Sequence, residues 1–431
     1  MKNIKGQSSL TVRKRGKIDT TPFDRHRIPP RQNFFLTPVI WLLCRLLTLG
    51  TGLKINKKDM KGLKPPFLVL GSHHAFMDFY VTPLALFPHR ANYISELEGF
   101  EYFGEWIYRQ VGCLGTRKFV NDMALIKNIK RVLERKSILV IYPEARYANV
   151  GTSTDIPLSV SKLIKNVNVP VVTINMHGNY LQSPIWNLKK RKETRLSADI
   201  CQLITKEETA SLSLDEIHKR VSEYLTYDEY KWQYDNKMAI TDDFRAEGLH
   251  KVLYRCPHCD TEFFMTSKGA EIICSNCHSR YYMTGYGRML KNESEFPLSH
   301  IPDWYEWQRK KVEEEIDSGN YRLDCTVEIH ALPNAKNFID CGEGRLIHDD
   351  NGFALTFTDY GADKEQTMTF PPLSMLSVHT EYDYRGKGQC ITLSTLDNTY
   401  FLFPKSDGFN ATKIQFATEY LYKKAQSELK N

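Results

Sequence analysis

Four cysteines arranged as two CxxC pairs constrain the fold of this chain more than any other feature. Cys256 and Cys259 form the first pair, and Cys274 and Cys277 form the second after a gap of 14 residues. Two such turns present four thiolates to one tetrahedral Zn²⁺ ion, and a site closed by four cysteines is structural rather than catalytic. The alternative is a pair of disulfides. We predict a structural zinc ribbon over residues 246–290.

The rest of the composition is that of a globular protein. Of the 431 residues, 42% are apolar and 25% are charged, which excludes a wholly disordered or collagen-like chain. At roughly 150 residues per domain, the length predicts two or three domains. Six further cysteines stand singly among apolar or strand-like neighbours, where a free thiol packs as a small hydrophobe. They are Cys44, Cys113, Cys201, Cys325, Cys341 and Cys390.

The net charge of +7 lies entirely in a basic arm at residues 1–33. This arm lacks the apolar core of a secretory signal, so we expect no export and a compartment that keeps thiols reduced. Counted through residue 64 the excess grows to +12, and residues 65–431 carry −5. A basic arm and a zinc ribbon also fit a nucleic-acid binder, but the arm adjoins an apolar segment. We therefore expect no nucleic-acid partner.

An apolar segment at residues 34–50 follows the arm. It has 17 residues, fewer than the roughly 20 that a membrane span needs, and it contains Arg45. At a membrane interface the stem of an arginine can lie along apolar surface while its head reaches water. Five lysines follow, and they are Lys54, Lys57, Lys58, Lys61 and Lys64. The pattern predicts a monotopic anchor at residues 34–64 on the cytoplasmic face of a membrane, and the alternative is a buried core helix with a solvated basic tail.

A histidine and an aspartate stand at a predicted strand-to-helix junction. Residues 67–70 form an apolar run typical of a buried strand, and Gly71 ends it. His73 and Asp78 follow, with four residues between them. A carboxylate behind an imidazole fixes its tautomer and stabilises the imidazolium ion, so the other ring nitrogen can take a proton from a hydroxyl group. We predict His73 as the base, and His74, the competing register, as a structural or substrate-contacting residue.

Three further blocks follow in chain order. The first is a glycine-flanked turn that ends in an arginine, and the second and third are predicted strands at residues 138–142 and 169–174 with polar or proline residues at their ends. Strand ends in an α/β sheet are where ligand groups converge. The residues that we single out in these blocks are Gly112, Arg117, Pro143, Glu144, Arg146 and Pro170.

The four ordered blocks resemble the family of 1-acylglycerol-3-phosphate acyltransferases and related lysophospholipid acyltransferases, over about residues 34–225. The resemblance implies an α/β domain with a mixed sheet flanked by helices, which we assign to residues 65–245. It implies that His73 is the catalytic base with Asp78 behind it. It also implies acyl-CoA or an acyl-carrier protein as the donor and a membrane lysophospholipid as the acceptor.

The same resemblance implies the substrate contacts. The family's glycine-to-arginine block is linked with binding the acceptor's phosphate, and it corresponds here to Gly112 and Arg117. The other two blocks correspond to Pro143, Glu144 and Arg146, and to Pro170. The residue chemistry agrees, because transfer from a thioester to a hydroxyl needs a base and an anionic acceptor needs guanidinium groups.

Two segments near these blocks, an aromatic one and a small polar one, are interpreted from their composition and spacing. Five aromatic residues lie between the first two blocks, and they are Phe100, Tyr102, Phe103, Trp106 and Tyr108. They fit an acyl-chain groove or a belt at headgroup level, but the spacing of Phe103, Trp106 and Ile107 favours the core of a helix. Residues 149–154, which are small and polar, predict a mobile loop beside Arg146.

The second half of the chain predicts smaller modules. Ser213 and Glu216 form a capping box that opens a helix, and residues 302–319 predict a connecting helix. From residue 320 the pattern changes to seven short strands, with a hairpin signal at Asn351 and Gly352, before a terminal helix at about 410–429.

Seven strands and a terminal helix resemble the pleckstrin-homology-like superfold, so we predict a small mainly-β domain at residues 320–431. Residues 321–431 carry a net charge of −4. We expect this domain to bind a protein partner rather than an anionic lipid.

Two functions from different classes fit the sequence. The first is a membrane-associated enzyme that moves an acyl chain from a thioester to the hydroxyl of a lysophospholipid, with 1-acylglycerol-3-phosphate the expected acceptor. The second is a catalytically silent lipid-binding scaffold that uses the zinc ribbon and the C-terminal domain for protein interactions. The retained histidine, aspartate and arginines favour the enzyme.

Overall fold

The computed structural model describes residues 19–429, apart from the side chain of Tyr102. The predicted basic arm therefore lies partly outside the described residues. Its described part packs against the first half of the chain, where Arg25 pairs with Asp122 at 3.1 Å and Arg27 pairs with Glu105 at 3.0 Å.

A seven-stranded sheet forms the centre of the first half. Its strands are β1 (Lys54–Lys58), β2 (Leu68–Gly71), β3 (Ala91–Glu96), β4 (Cys113–Thr116), β5 (Ile138–Ile141), β6 (Val171–His177) and β7 (Ser197–Ile204). Their order is β1-β7-β6-β2-β5-β3-β4. The strands from β6 to β4 run parallel, β7 is antiparallel to β6, and β1 is parallel to β7. The predicted mixed α/β sheet is confirmed.

Ten helices of the described chain accompany this sheet. They are α1 (Leu36–Leu47), α2 (Asp78–Leu86), α3 (Leu97–Phe103), α4 (Glu105–Gln110), α5 (Met123–Glu134), α6 (Leu158–Val167), α7 (Asn179–Gln182), α8 (Lys206–Ser211), α9 (Leu214–Leu225) and α10 (Glu229–Asp235). Side chains of a strand alternate between its two faces. Leu68 and Leu70 of β2 therefore join the core beneath α5, α6 and α9, while Val69 joins the core beneath α2. The capping box predicted at Ser213 is confirmed at the start of α9.

Parallel strands give this sheet two distinct edges. We call the residues that directly follow β2 to β6 the carboxyl edge and those that directly precede them the amino edge. His73 follows β2 and lies at the carboxyl edge, whereas Ser137 precedes β5 and lies at the amino edge. Because the strands are only four to seven residues long, the two edges are separated by a strand length of roughly 13 to 23 Å.

The four predicted zinc ligands belong to a separate antiparallel sheet. Its strands are β8 (Met265–Lys268), β9 (Glu271–Cys274), β10 (Arg280–Met283) and β11 (Met289–Lys291), in the order β11-β10-β9-β8. Helix α11 (Ile301–Asp317) follows, which confirms the predicted connecting helix.

The C-terminal part is a second seven-stranded sheet, entirely antiparallel. Its strands are β12 (Leu323–Ala331), β13 (Ile339–Asp349), β14 (Gly352–Phe357), β15 (Gln366–Phe370), β16 (His379–Glu381), β17 (Cys390–Ser394) and β18 (Thr399–Pro404), in the order β15-β14-β13-β12-β18-β17-β16. Helix α12 (Ala411–Glu428) ends the fold. The strand predicted at 374–381 is reduced to β16, because residues 372–374 form a 3₁₀ turn that packs against α12.

One continuous hydrophobic core joins these parts. It includes Ala148 and Trp186 from the carboxyl edge, Tyr281 from the zinc-ligand sheet, Trp304 from α11 and Ile414 from α12. The C-terminal sheet and the zinc-ligand sheet are therefore packed onto the carboxyl edge of the first sheet. The amino edge receives no part of this core among the described residues.

Helix α1 packs against α2 and leaves an apolar face in solvent. The exposed side chains on and beside this helix are Phe34, Phe35, Val39, Leu42, Leu43, Leu46 and Leu49. Within residues 19–429, no helix has the length and apolar character that crossing a bilayer requires.

The aromatic residues between the first two blocks are not a helix core. Phe100 is buried, but Phe103 is 68% exposed and Trp106 is 72% exposed. The prediction of one buried helical face is wrong because Gly104, with a φ of 83°, ends α3 and begins α4 in a new direction.

Candidate active site and metal centre

His73 and Asp78 meet at the carboxyl edge of the first sheet. His73 follows the end of β2, and Asp78 is the first residue of α2. The Nδ1 atom of His73 lies 3.4 Å from Oδ2 of Asp78. The His73 side chain is 9% exposed, and no hydrogen bond from another described residue reaches its Nε2 atom. The free nitrogen is thus the one a hydroxyl substrate would meet.

Aromatic rings enclose His73. Its imidazole stacks on Tyr142 with ring centroids 4.5 Å apart, lies 4.5 Å from the ring of Tyr147, and meets Phe79 edge-on at 5.6 Å. Burial among these rings lowers the pKa of His73, and the Asp78 carboxylate opposes this only in part. A histidine of lowered pKa is neutral at neutral pH, which is the form that can accept a proton.

Asp78 is held by donors on all sides. Its Oδ2 atom accepts hydrogen bonds from the backbone N–H groups of His74 at 2.7 Å and Ala75 at 3.0 Å. Its Oδ1 atom accepts one from the Asn179 side chain at 2.7 Å. Asn179 follows β6, and no motif in the sequence marks it as a site residue. These donors fix the carboxylate that in turn orients His73.

Two buried acids lie beneath the histidines. Glu144 accepts hydrogen bonds from the backbone N–H of His73 at 3.2 Å and of Thr154 at 2.9 Å, and burial raises the pKa of Glu144 to about 7. Glu229 accepts a hydrogen bond from the N–H of Gly178, and burial raises the pKa of Glu229 well above its usual range. Nothing in the sequence marks Glu229 as a site residue, since an acid in a polar stretch gives no sign of burial.

His74 lies between these acids. Its Nε2 and Nδ1 atoms are each 4.0 Å from a carboxylate oxygen, of Glu144 and Glu229 respectively, and its ring stacks on Tyr227. Burial lowers the pKa of His74 to about 4, so the ring is neutral at neutral pH. His74 is fully buried, and its surroundings are those of a structural residue.

Arg117 follows β4 at the carboxyl edge but turns toward the C-terminal sheet. Its Nη1 atom donates to the carbonyl of Leu332 and the hydroxyl of Thr399, both at 2.9 Å. Its Nη2 atom donates to the carbonyls of Pro333 at 2.7 Å and Asp397 at 2.9 Å. Four protein acceptors therefore occupy the guanidinium group that the resemblance assigns to the acceptor's phosphate.

Arg146 is engaged in a similar way. Its Nη2 atom lies 2.8 Å from Oε1 of Glu419 in α12, and the other oxygen of Glu419 lies 2.6 Å from Nη1 of Arg309 in α11. The Arg146 side chain is 6% exposed. This arginine thus ties the loop that carries Glu144 to the two helices that cover it.

The remaining predicted site residues divide between the two edges. Pro143 follows β5 at the carboxyl edge, in the loop that leads to Glu144. Gly112 and Pro170 precede β4 and β6, so they lie at the amino edge and the structure does not bring them to His73. The prediction of a mobile loop at 149–154 is wrong at its start, because Asn149 is buried and donates hydrogen bonds to Tyr305 and Gln415.

A second polar cluster of the carboxyl edge joins the two large sheets. One ligand atom each from Glu96, Glu98 and His379 lies within 4.8 Å of the others. The Lys118 Nζ atom lies 2.8 Å from Glu96 and 3.0 Å from ring nitrogens of His379. The ammonium group therefore bridges the cluster and supplies the positive charge that its carboxylates require.

The four cysteines of the two CxxC pairs converge. Their Sγ atoms all lie within 4.8 Å of one another, with Cys256 and Cys277 separated by 3.7 Å and Cys259 and Cys274 also by 3.7 Å. Four sulfurs placed about 2.3 Å from a tetrahedral Zn²⁺ ion are about 3.8 Å apart. All four are free thiols, as are the six single cysteines, which are all buried. The four residues fit zinc and leave no position for a substrate.

Comparisons with known proteins find similarity at the level of structure but not of sequence. No family model matches the sequence, and no curated protein sequence matches it. Among solved structures, the chain is similar to the 1-acyl-sn-glycerophosphate (LPA) acyltransferase PlsC from Thermotoga maritima, with 15% sequence identity and a TM-score of 0.37. The similarity covers 44% of this chain and 77% of that chain.

Proposed function

We propose that this protein is a membrane-associated O-acyltransferase that transfers a fatty acyl group from a thioester to the free hydroxyl of a lysophospholipid. The observation that carries the proposal is the pair formed by His73 and Asp78. A neutral imidazole with one nitrogen 3.4 Å from a fixed carboxylate and the other without a protein partner is suited to deprotonate a hydroxyl group.

The reaction requires no covalent acyl-enzyme. The Nε2 atom of His73 takes the hydroxyl proton as the substrate oxygen attacks the thioester carbonyl. Asp78 stabilises the imidazolium ion that forms. The tetrahedral intermediate then collapses with loss of the thiolate, which receives the proton from His73. Ester and free thiol are the products, and the base returns to its neutral form.

The substrates follow from the chemistry and from the sequence blocks. The proposed donor is acyl-CoA or an acyl-carrier protein. The proposed acceptor is 1-acylglycerol-3-phosphate, which would give phosphatidate. We propose that the segment at residues 34–64 rests on the cytoplasmic face of the membrane, that Zn²⁺ at the four cysteines has a purely structural role, and that the pleckstrin-homology-like C-terminal domain binds a protein partner.

The test is transfer of a labelled acyl chain by the purified full-length protein in detergent. His73→Ala should lower the rate by about 10² to 10⁴-fold, the usual contribution of a general base. His26→Ala, which removes an exposed histidine, serves as the matched control and should retain the rate. Equal product from the wild type and His73→Ala would refute the mechanism. A covalent acyl adduct trapped on the protein during turnover would refute direct attack.

A catalytically silent lipid-binding scaffold is the second candidate, and a specific observation favours it. Arg117 and Arg146, the residues implied to hold an anionic acceptor, are both occupied by contacts to the C-terminal half. If neither the wild type nor His73→Ala forms product with several lysophospholipid acceptors and both donor types, the scaffold is favoured and the enzyme rejected.

A further inference from the structure

A groove of about 490 Å³ opens at the amino edge of the first sheet. Four of its lining side chains carry or can carry positive charge, and they are Arg31, His89, Arg90 and Lys136. Phe34, Phe35 and Phe87 supply its apolar walls. Among the described residues that line this groove, none has a carboxylate. The groove thus combines unopposed positive charge with aromatic surface.

The groove is separate from the proposed catalytic site. It is lined by Ala91 at the start of β3 and by Ser137 just before β5, whereas His73 follows the end of β2. These strands are parallel, so the groove and His73 lie at opposite ends of the sheet, roughly 13 Å or more apart.

Three of the four cations of the groove are available to a ligand, while the Nη2 atom of Arg31 donates a hydrogen bond of 2.6 Å to the carbonyl of Arg135. Lys136 and His89 are exposed, and neither side chain has a hydrogen-bond or ion-pair partner within the described residues. Arg90 makes one long hydrogen bond, of 3.3 Å, to the carbonyl of Gln32, and its guanidinium lies 5.6 Å from the ring centre of Phe34. Because like charges repel, a bound anion would relieve the electrostatic cost of gathering these groups.

The apolar wall of the groove continues into the exposed face of α1. The rings of Phe87 in the groove and Trp41 in α1 are 5.4 Å apart. Helix α1 has 12 residues and is therefore about 18 Å long, with exposed Val39, Leu42 and Leu46 along its outer face. A ligand that fits this surface has an anionic group that enters the groove. It also lies in an apolar environment into which the side chains of α1 can insert.

The neighbouring lysines add charge at the same edge. Strand β1 runs parallel to β7, which is antiparallel to β6, so β1 ends at the amino edge. Lys61 and Lys64 lie in the connection from there to β2 and are exposed. The positive field therefore extends beyond the groove along the amino edge.

We propose that this groove binds the phosphate-bearing headgroup of an anionic phospholipid in a membrane leaflet on which α1 lies flat. The inference rests on the membrane association included in the proposed function but not on acyl transfer. Charge complementarity selects the anionic headgroup, and the exposed apolar face of α1 selects a bilayer over a soluble anion.

The test is binding of the full-length protein to vesicles. Phosphatidylcholine vesicles with and without phosphatidylglycerol are compared for the wild type and for the double variant Arg90→Gln with Lys136→Gln. At about 1 kcal/mol for each cation near an anionic surface, the variant should lose about thirtyfold in binding to the anionic vesicles and little with the neutral ones. The matched control, Lys190→Gln with Lys310→Gln, removes two exposed lysines elsewhere.

The other arms of the experiment separate the alternatives. Equal losses in the groove variant and the control would overturn the proposal, because general electrostatics would then explain the binding. Release of the protein from anionic vesicles by low millimolar inorganic phosphate at constant ionic strength would assign the groove to a soluble anion and also overturn it. His73→Ala should bind both kinds of vesicle like the wild type. The vesicle result can therefore be interpreted even if the catalytic proposal fails.

Discussion

The two edges of the first sheet put the same residue type to opposite uses. At the carboxyl edge, Arg117 and Arg146 are buried, and both bind acceptors in the C-terminal half. At the amino edge, Arg90 is exposed beside an open groove and makes one long hydrogen bond. The sequence blocks predict Arg117 and Arg146 as ligand-binding residues, yet the arginine that is open to a ligand is Arg90.

The difference teaches that an arginine's role depends on what covers it. A guanidinium group has five donors in a fixed fork and can donate them either to backbone carbonyls or to a phosphate. Where another part of the chain covers a strand end, the arginine connects the two parts. Where the strand end stays open, the same side chain remains available to an anion.

The largest expected effect comes from removing the metal. Loss of a structural zinc site removes a binding free energy on the order of 10 kcal/mol. Because one hydrophobic core joins the zinc-ligand sheet to the carboxyl edge, unfolding of that sheet should also destabilise the carboxyl edge. Chelation should lower the thermal midpoint by more than about 10 °C. Hydrogen exchange should increase at residues 143–150 more than at residues 88–92. Metal analysis should find one zinc ion per chain before chelation.

Two results would contradict this expectation. A metal-free protein with an unchanged thermal midpoint would mean that the four cysteines fold without an ion. A rate that fell while the protein remained folded would mean that the metal takes part in catalysis rather than in structure.

The next effect tests the buried arginine against the exposed one. Arg117→Ala leaves four acceptors without their donor, three of them in buried contacts, and should lower the free energy of unfolding by about 3 to 5 kcal/mol. Arg90→Ala, at the open edge, should change it by less than about 0.5 kcal/mol. Urea denaturation of the purified variants measures both. A stable Arg117→Ala protein with a raised KM for 1-acylglycerol-3-phosphate would contradict this expectation and would indicate that Arg117 binds substrate.

The smallest effect is a pH dependence at the carboxyl edge. Glu229 has a folded-state pKa well above its usual range because it is buried, so the unfolded chain releases this proton at a lower pH than the folded chain does. The contribution of Glu229 to stability therefore falls as pH rises above about 4.5, the ordinary pKa of glutamate, until the folded pKa is reached. Glu229→Gln lacks this ionisation, and its stability relative to the wild type should rise between pH 5 and pH 8.

An exposed acid near the amino edge provides the control. Glu134→Gln should change the free energy of unfolding by less than about 0.5 kcal/mol at either pH. Parallel pH curves for the wild type and Glu229→Gln would mean that Glu229 is ionised in the folded protein.

Local patterns in the sequence predicted local structure well. The capping box at Ser213 opens α9, the run at 302–319 forms α11, and Gly352 begins β14 with a φ of 84°. The mixed sheet was implied by the resemblance to a known family, and the gathering of four cysteines follows from their spacing. The helix starts, the hairpin and the cysteine cluster depend on residues within a few positions of one another, or on a spacing that suits one metal ion.

Contacts between distant segments were beyond the reach of such patterns. No sequence pattern near Arg117 predicts that the carbonyls of residues 332 and 333 are its partners. No pattern near Arg146 predicts its contact with Glu419. Asn179 and Glu229 were missed for the same reason, because their importance comes from where β6 and α10 end up relative to His73. Trp106 is exposed because the chain turns at Gly104. Helical spacing counted through Gly104 assumes one continuous helix and so does not predict this.

The bond from Asn149 to Gln415 spans 266 residues of chain and has a consequence for the order of synthesis. At about 5 to 20 residues per second, roughly 13 to 53 s pass on the ribosome between the translation of these two residues. During that interval the nascent first half exposes the loop around Glu144 without the helix that will cover it. The strand ends nearest the histidines are therefore synthesised early and are among the last parts of the molecule to be covered.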